Sequence, residues 1–293
     1  MRYRKVTLQR KTWNTVLISL GSVLIIISLI WLFAIFPVMD KIPTDHHKVI
    51  NFEGFYKVMN PQTQSLDEIP VNVTREQQAT EIQDNVLIIK QVITTTHAVA
   101  GMELAQFGLT EVLGVDRSTR QYSPGYGDMD RSGQFSFPGA LEKKDYSLWI
   151  PTAGRPLDAK FMGEEDFQGL RVFTFKVSEL GLDIGTQSGT DLPQVLDTVI
   201  RLKVEPVSGV TVYSESLIII KIVIVSGLEA PVYISSLKFT DDTITGLVDT
   251  ASSARSMLHW AKVYGFWLVI GVGVVLTLVG VLGAIRTRPG EVV

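Results

Sequence analysis

The chain has no cysteine among its 293 residues. That absence excludes a disulfide framework, cysteine-ligated zinc, iron–sulfur clusters and thiol nucleophiles. Histidine is scarce, with four residues, of which His46 and His47 are adjacent. Neighbours on an extended backbone point to opposite faces, so this pair makes a poor metal clasp. No basic cluster occurs beyond the first eleven residues, and the net charge of −3 argues against a nucleic-acid partner. The G-x-S-x-G elbow, the H-E-x-x-H pair, the Walker loop and a G-x-G-x-x-G opening a helix are also missing. Charge itself is missing from two long runs, and what fills them is the strongest signal in the chain.

Residues 16–36 read VLISLGSVLIIISLIWLFAIF and residues 263–285 read VYGFWLVIGVGVVLTLVGVLGAI. A hydrocarbon core of ~30 Å needs about 20 residues at ~1.5 Å each, so either run is long enough to span. Trp13, Trp31, Tyr264 and Trp267 supply interfacial aromatics near the run ends. The first run is longer than the ~7–15 residues of a signal h-region and ends without a small-x-small site, so it reads as an uncleaved anchor. Arg2, Arg4, Lys5, Arg10 and Lys11 precede the first run, and Arg286 and Arg288 follow the second. The positive-inside rule then places both termini in the cytoplasm and the central part outside, at a plasma membrane. Residues 40–260 carry 19 Lys and Arg against 29 Asp and Glu, an acidic balance. The expected organisation is a basic cytoplasmic tail (1–14), a transmembrane helix (15–38), an extracytoplasmic β-rich domain (39–240), a helix leading to the membrane (241–262), a second transmembrane helix (263–285) and a short cytoplasmic tail (286–293).

The central part is rich in β-branched residues punctuated by turn formers. Segments 48–58, 85–96, 169–177, 210–225 and 232–239 have strand character, and several are apolar on both faces. The fold class is therefore a membrane-anchored α+β protein, with one helix at each end of a mainly antiparallel β domain whose sheet is closed or sandwiched. The run LIIIKIVIV at 217–225 contains Lys221 and is too short for a third helical span, so it reads as a buried strand. From Asp241, after Thr240 as N-cap, apolar residues recur at helical spacing. That predicts one helix running toward the second span, with a bend near Gly265. Residues 77–83 read as a short surface helix, and Glu164-Glu165-Asp166 as a solvated loop.

Candidate sites are few. Asp128, Asp130 and Ser132, with Gly133 sixth in the run, match the first half of a calcium loop. The acid required at the twelfth place is absent, since Gly139 stands there, and Arg131 adds an opposing cation. Calcium is the one cofactor the chain suggests, and an ordinary polar turn is the competing reading. Asn72 opens the sequon Asn72-Val73-Thr74 and is a glycosylation candidate. Gly273, Thr277, Gly280 and Ala284 form small-xxx-small steps for close helix packing, against the first span or between two copies of the chain.

Several phrases occur in order: Phe52-Glu53-Gly54, Asn60-Pro61-Gln62-Thr63, Val115-Asp116-Arg117-Ser118-Thr119, Phe137-Pro138, 142–149 (EKKDYSLW), 169–175 (GLRVFTF) and 204–209 (VEPVSG). Together they resemble the porin PorA-like family, two-span membrane proteins of actinobacteria and archaea. The resemblance implies one span at each end and brings no catalytic residues to carry over. The word porin does not supply a mechanism, because a pore needs a closed barrel in lipid or several helices lining water. The layout is also similar to that of class B scavenger receptors, which carry lipids through an internal cavity, although their cysteines are missing here. The leading expectation is a non-catalytic cell-envelope protein that touches the bilayer and presents its β domain to an envelope protein, a glycan or a lipid. A lipid-handling domain with an apolar cavity, a porin-like or channel-associated component, and a hydrolase using Asp116 or the Asp128–Asp130 pair are the alternatives.

Overall fold

The structure, a computed structural model, describes residues 2–39, 41–60, 62–225 and 227–286. It divides into two units, a pair of terminal helical segments and a β domain.

In the first unit, α1 (Arg2–Ile30) continues through a π-helical turn at Trp31–Ile35 into the short α2 (Phe36–Met39). The windows Thr12–Ile35 and Phe266–Arg286 are each long and apolar enough to cross a membrane. Val16, Val23 and Ile27 remain exposed on the first, and Leu268, Val275 and Leu282 on the second. Such apolar outward faces fit lipid rather than water.

The β domain holds eleven strands: β1 (His47–Asn60), β2 (Ser65–Gln83), β3 (Val86–His97), β4 (Leu109–Asp116), β5 (Tyr122–Gly127), β6 (Tyr146–Ile150), β7 (Arg155–Phe167), β8 (Leu170–Thr186), β9 (Pro193–Val204), β10 (Thr211–Val225) and β11 (Leu228–Phe239). All paired neighbours run antiparallel, in the order β5-β4-β3-β2-β1-β11-β10-β9-β8-β7-β6. Tight turns set several registers. Gln168 and Gly169 both have positive φ between Phe167 and its partner Leu170, the two-residue hairpin geometry.

The two end strands are joined. Gln134 bridges to Gln121, just before β5, and to Leu148 in β6. The Gln134 N–H donates to Ser147 O at 2.7 Å, and the Trp149 N–H donates to Gln134 O at 3.2 Å. The sheet thus closes on itself into a ring. Counted through the registers, one side chain parity faces inward all round, and it carries Tyr56, Val73, Leu113, Phe175 and Leu202. The opposite parity carries the ion pairs Lys238–Glu53 (2.9 Å), Lys57–Glu68 (2.9 Å) and Arg201–Glu215 (3.2 Å).

Next, α3 (Asp241–His259) begins where the Thr243 N–H donates to Thr240 Oγ1 at 3.3 Å, with Asp241 and Asp242 in its first turn. Ile244, Leu247 and Ala251 pack with Ile50, Val172, Val212 and Phe239. A π-helical turn at Trp260–Gly265 then leads into α4 (Phe266–Arg286).

Three local readings are corrected. Residues 77–83 are the end of β2, paired with β3 along their length and with β1 at Gln77 and Gln78, which overrides the helix preference of Glu, Gln and Ala. Glu164-Glu165-Asp166 belongs to β7, where Lys143 and Arg171 pair with Glu164 and Lys203 pairs with Glu165. The apolar run 217–225 is part of a strand beginning at Thr211, with Leu217 and Ile224 exposed.

Candidate functional site

The seam of the ring is built by the phrases that carry the family resemblance. Asp116 Oδ1 accepts the N–H groups of Ser118 (2.9 Å) and Thr119 (2.7 Å), and Asn85 Nδ2 donates to Oδ2 at 2.9 Å. Burial works to raise the Asp116 pKa, but these hydrogen bonds win and hold it below the usual range. The turn they form delivers Arg120, whose Nη1 donates to Phe137 O (2.8 Å) and Ser208 O (2.9 Å). Glu205 is buried and accepts both the N–H and the hydroxyl of Ser208, each at 2.7 Å. A pocket of about 500 Å³ opens beside this seam, lined by Thr119, Gln121, Gln134, Glu142, Lys144 and Tyr146 among others.

The calcium candidates lie nearby but face protein donors. Arg131, with a side chain only 3% exposed, donates from Nη1 to Asp128 Oδ1 (2.6 Å) and from Nη2 to Glu111 Oε1 (2.9 Å). Asp128 Oδ2 also accepts the Val112 N–H at 3.0 Å, and Asp130 Oδ1 accepts the Gly125 N–H at 2.8 Å. Burial would raise the Asp128 pKa; the Arg131 hydrogen bond and charge outweigh it and hold the acid low. Ser132 is exposed. Among the described residues no group of three or more His, Asp or Glu is placed to hold a metal. Carboxylates kept ionised by donors are also poor proton donors near neutral pH, which weakens a hydrolase built on Asp116 or Asp128.

From Arg131 a polar ladder crosses the inner wall. Gln91 Nε2 donates to Glu111 Oε2 at 2.8 Å, and Gln77 Nε2 donates to Gln91 Oε1 at 2.6 Å. Gln77 and Gln91 are register partners on β2 and β3, as Gln91 and Glu111 are on β3 and β4.

Beside this ladder stand two cations that the motif search missed. Ile50 faces Arg75 and Lys48 faces Gln77 across β1 and β2, so Lys48 and Arg75 are diagonal neighbours on the inward face. Burial, then the charges of Arg75 and Arg120, push the Lys48 pKa down to about 8. Burial likewise lowers Arg75, whose guanidinium lies 5.3 Å from the Phe52 ring and whose Nε has no hydrogen-bond partner. Half-buried His46 is lowered by burial and by Lys48. Tyr122, on the same inner wall, is pushed up to about 12, chiefly by burial. Lys48 had a sequence signal: it shares parity with Ile50 and Phe52 in an apolar strand.

Asn72 is exposed on β2. Gly273 and Gly280 lie on the face of α4 that meets α1. A Cβ at Gly273 would stand 2.9 Å from Gly21 O, and one at Gly280 would stand 2.7 Å from Ile18 Cγ1. Thr277 Oγ1 donates back to Gly273 O at 2.8 Å, and Ala284 lies one turn beyond Gly280.

A family model described as Porin PorA matches residues 14–282. No curated protein matches the chain.

Proposed function

The chain belongs to the porin PorA family, and from that premise we propose that it is a two-pass cell-envelope protein that binds rather than catalyses. In this reading the terminal helices cross the bilayer, both ends lie in the cytoplasm, and the ring of strands stands outside the lipid as a receptor for an envelope protein, a glycan or a lipid. The observation that carries it is the outward face of the ring, with its Lys238–Glu53, Lys57–Glu68 and Arg201–Glu215 pairs. A barrel crossing lipid needs an apolar outward band, and a cation at its midplane costs about 2–4 kcal/mol. The apolar stretches of the terminal helices have the faces that lipid requires.

Within that reading, enclosure by a hydrogen-bonded ring favours a small ligand held inside over a partner docked on a flat sheet. Mass spectrometry of the protein purified in neutral detergent tests this. One dominant co-purifying small molecule that survives detergent exchange is the expected result. Only a background matching the bulk lipid extract would contradict it.

A further inference from the structure

We propose that Lys48 and Arg75 seat the anionic group, a carboxylate or a phosphate, of a ligand held inside the ring of strands. This deepens the receptor reading above by naming the ligand's chemistry. Neither side chain has a hydrogen bond or ion pair among the described residues, and Arg75 Nε is enclosed without a partner. Enclosed cations without counter-charge are costly, and proteins retain them where an anion supplies the missing partner. The carboxylates on the neighbouring wall are not available, because Arg131 binds Glu111 and Asp128 together.

Geometry shows where the anion would sit. Both side chains are half-buried and share the inward-facing parity of β1 and β2. Arg120, held by Phe137 O and Ser208 O, couples to Lys48 electrostatically. A Lys and an Arg on one wall suit oxyanions, the guanidinium by paired donors and the ammonium as a point charge.

The test uses the full chain in neutral detergent, with melting temperature followed against added palmitate, hexadecanol and inorganic phosphate. Palmitate is expected to raise the melting temperature and hexadecanol, its uncharged counterpart, to leave it unchanged. A rise with phosphate alone assigns the seat to a free anion instead of a lipid headgroup; the seat stands in either case. Lys48→Met and Arg75→Met should each raise the half-effect concentration by roughly tenfold or more, the scale of a lost charge-assisted hydrogen bond. Lys90→Met, on the exposed side of β3, should not. If a variant does not fold, the wild type still decides: palmitate binding should weaken from pH 7 to pH 9.5, as Lys48 loses its proton near pH 8 beside Arg75, Arg120 and His46. The seat is refuted if neither anion shifts the wild type, if hexadecanol acts as palmitate does, or if both variants respond as the wild type does. Binding is read here in detergent, so an error in the assigned membrane side would leave this result untouched.

Discussion

Arg131 gives up its hydration to two carboxylates at once, Asp128 at 2.6 Å and Glu111 at 2.9 Å. Removing one partner of such a buried network leaves charge uncompensated, and Arg131→Met should cost about 3–5 kcal/mol in chemical denaturation. The same engagement explains why Asp128 has little to offer a divalent ion. Millimolar calcium should leave the melting temperature unchanged, and a rise that Asp128→Ala abolishes would show that a calcium loop exists after all. Lys48 is the opposite case, a cation with nothing to offset its burial. Its folded pKa of about 8 lies below the ordinary lysine value of 10.5, so between those values the unfolded chain binds more protons. The penalty is fully present below pH 8 and is relieved as pH rises toward 10.5. Without added ligand, Lys48→Met should therefore melt above the wild type at pH 7, and the gap should narrow by pH 10. A gap that stays constant over that range would mean that Lys48 is not an enclosed, depressed cation.

Among the elements, α3 shows most plainly how a helix is held to the sheet. Leu247 is buried between the sheet and the helix, whereas Asp249 is exposed two residues on. Leu247→Ala should cost about 2–5 kcal/mol, and Asp249→Ala should stay within about 0.5 kcal/mol; equal effects would reduce α3 to a tether. That helix was legible in the sequence because a cap, two acids and a 3.6-residue apolar period agree. So were β1, β3, β10 and β11, where β-branched residues dominate. The end of β2 was not, because residues 75–83 (REQQATEIQ) take their strand form from pairing with β3, joined by β1 as far as Gln78, and not from local preference. Arg75 stands two residues before the segment 77–83 that reads as a surface helix, in a stretch with no strand signal of its own. Ring closure left no pattern at all, since it rests on the backbone of one residue, Gln134, meeting two distant strands. The family phrases pointed to this seam without explaining it; the structure shows Asp116, Arg120, Phe137, Glu205 and Ser208 tying three loops by hydrogen bonds.

Over the whole molecule, the proposed function has helices cross the lipid and strands hold the ligand. Uncharged runs occur only at the two ends of the chain, and the charged outward face belongs to the ring between them. The chain's lack of cysteine makes the decisive measurement clean, because a single introduced thiol is the only one present. Cysteine replaces exposed Ser132 in one variant and Thr7 in another, and intact cells are treated with a membrane-impermeant maleimide. The account predicts labelling of Ser132→Cys at once and of Thr7→Cys only after the membrane is permeabilised. Labelling of Thr7→Cys in intact cells, with Ser132→Cys protected until permeabilisation, would contradict it.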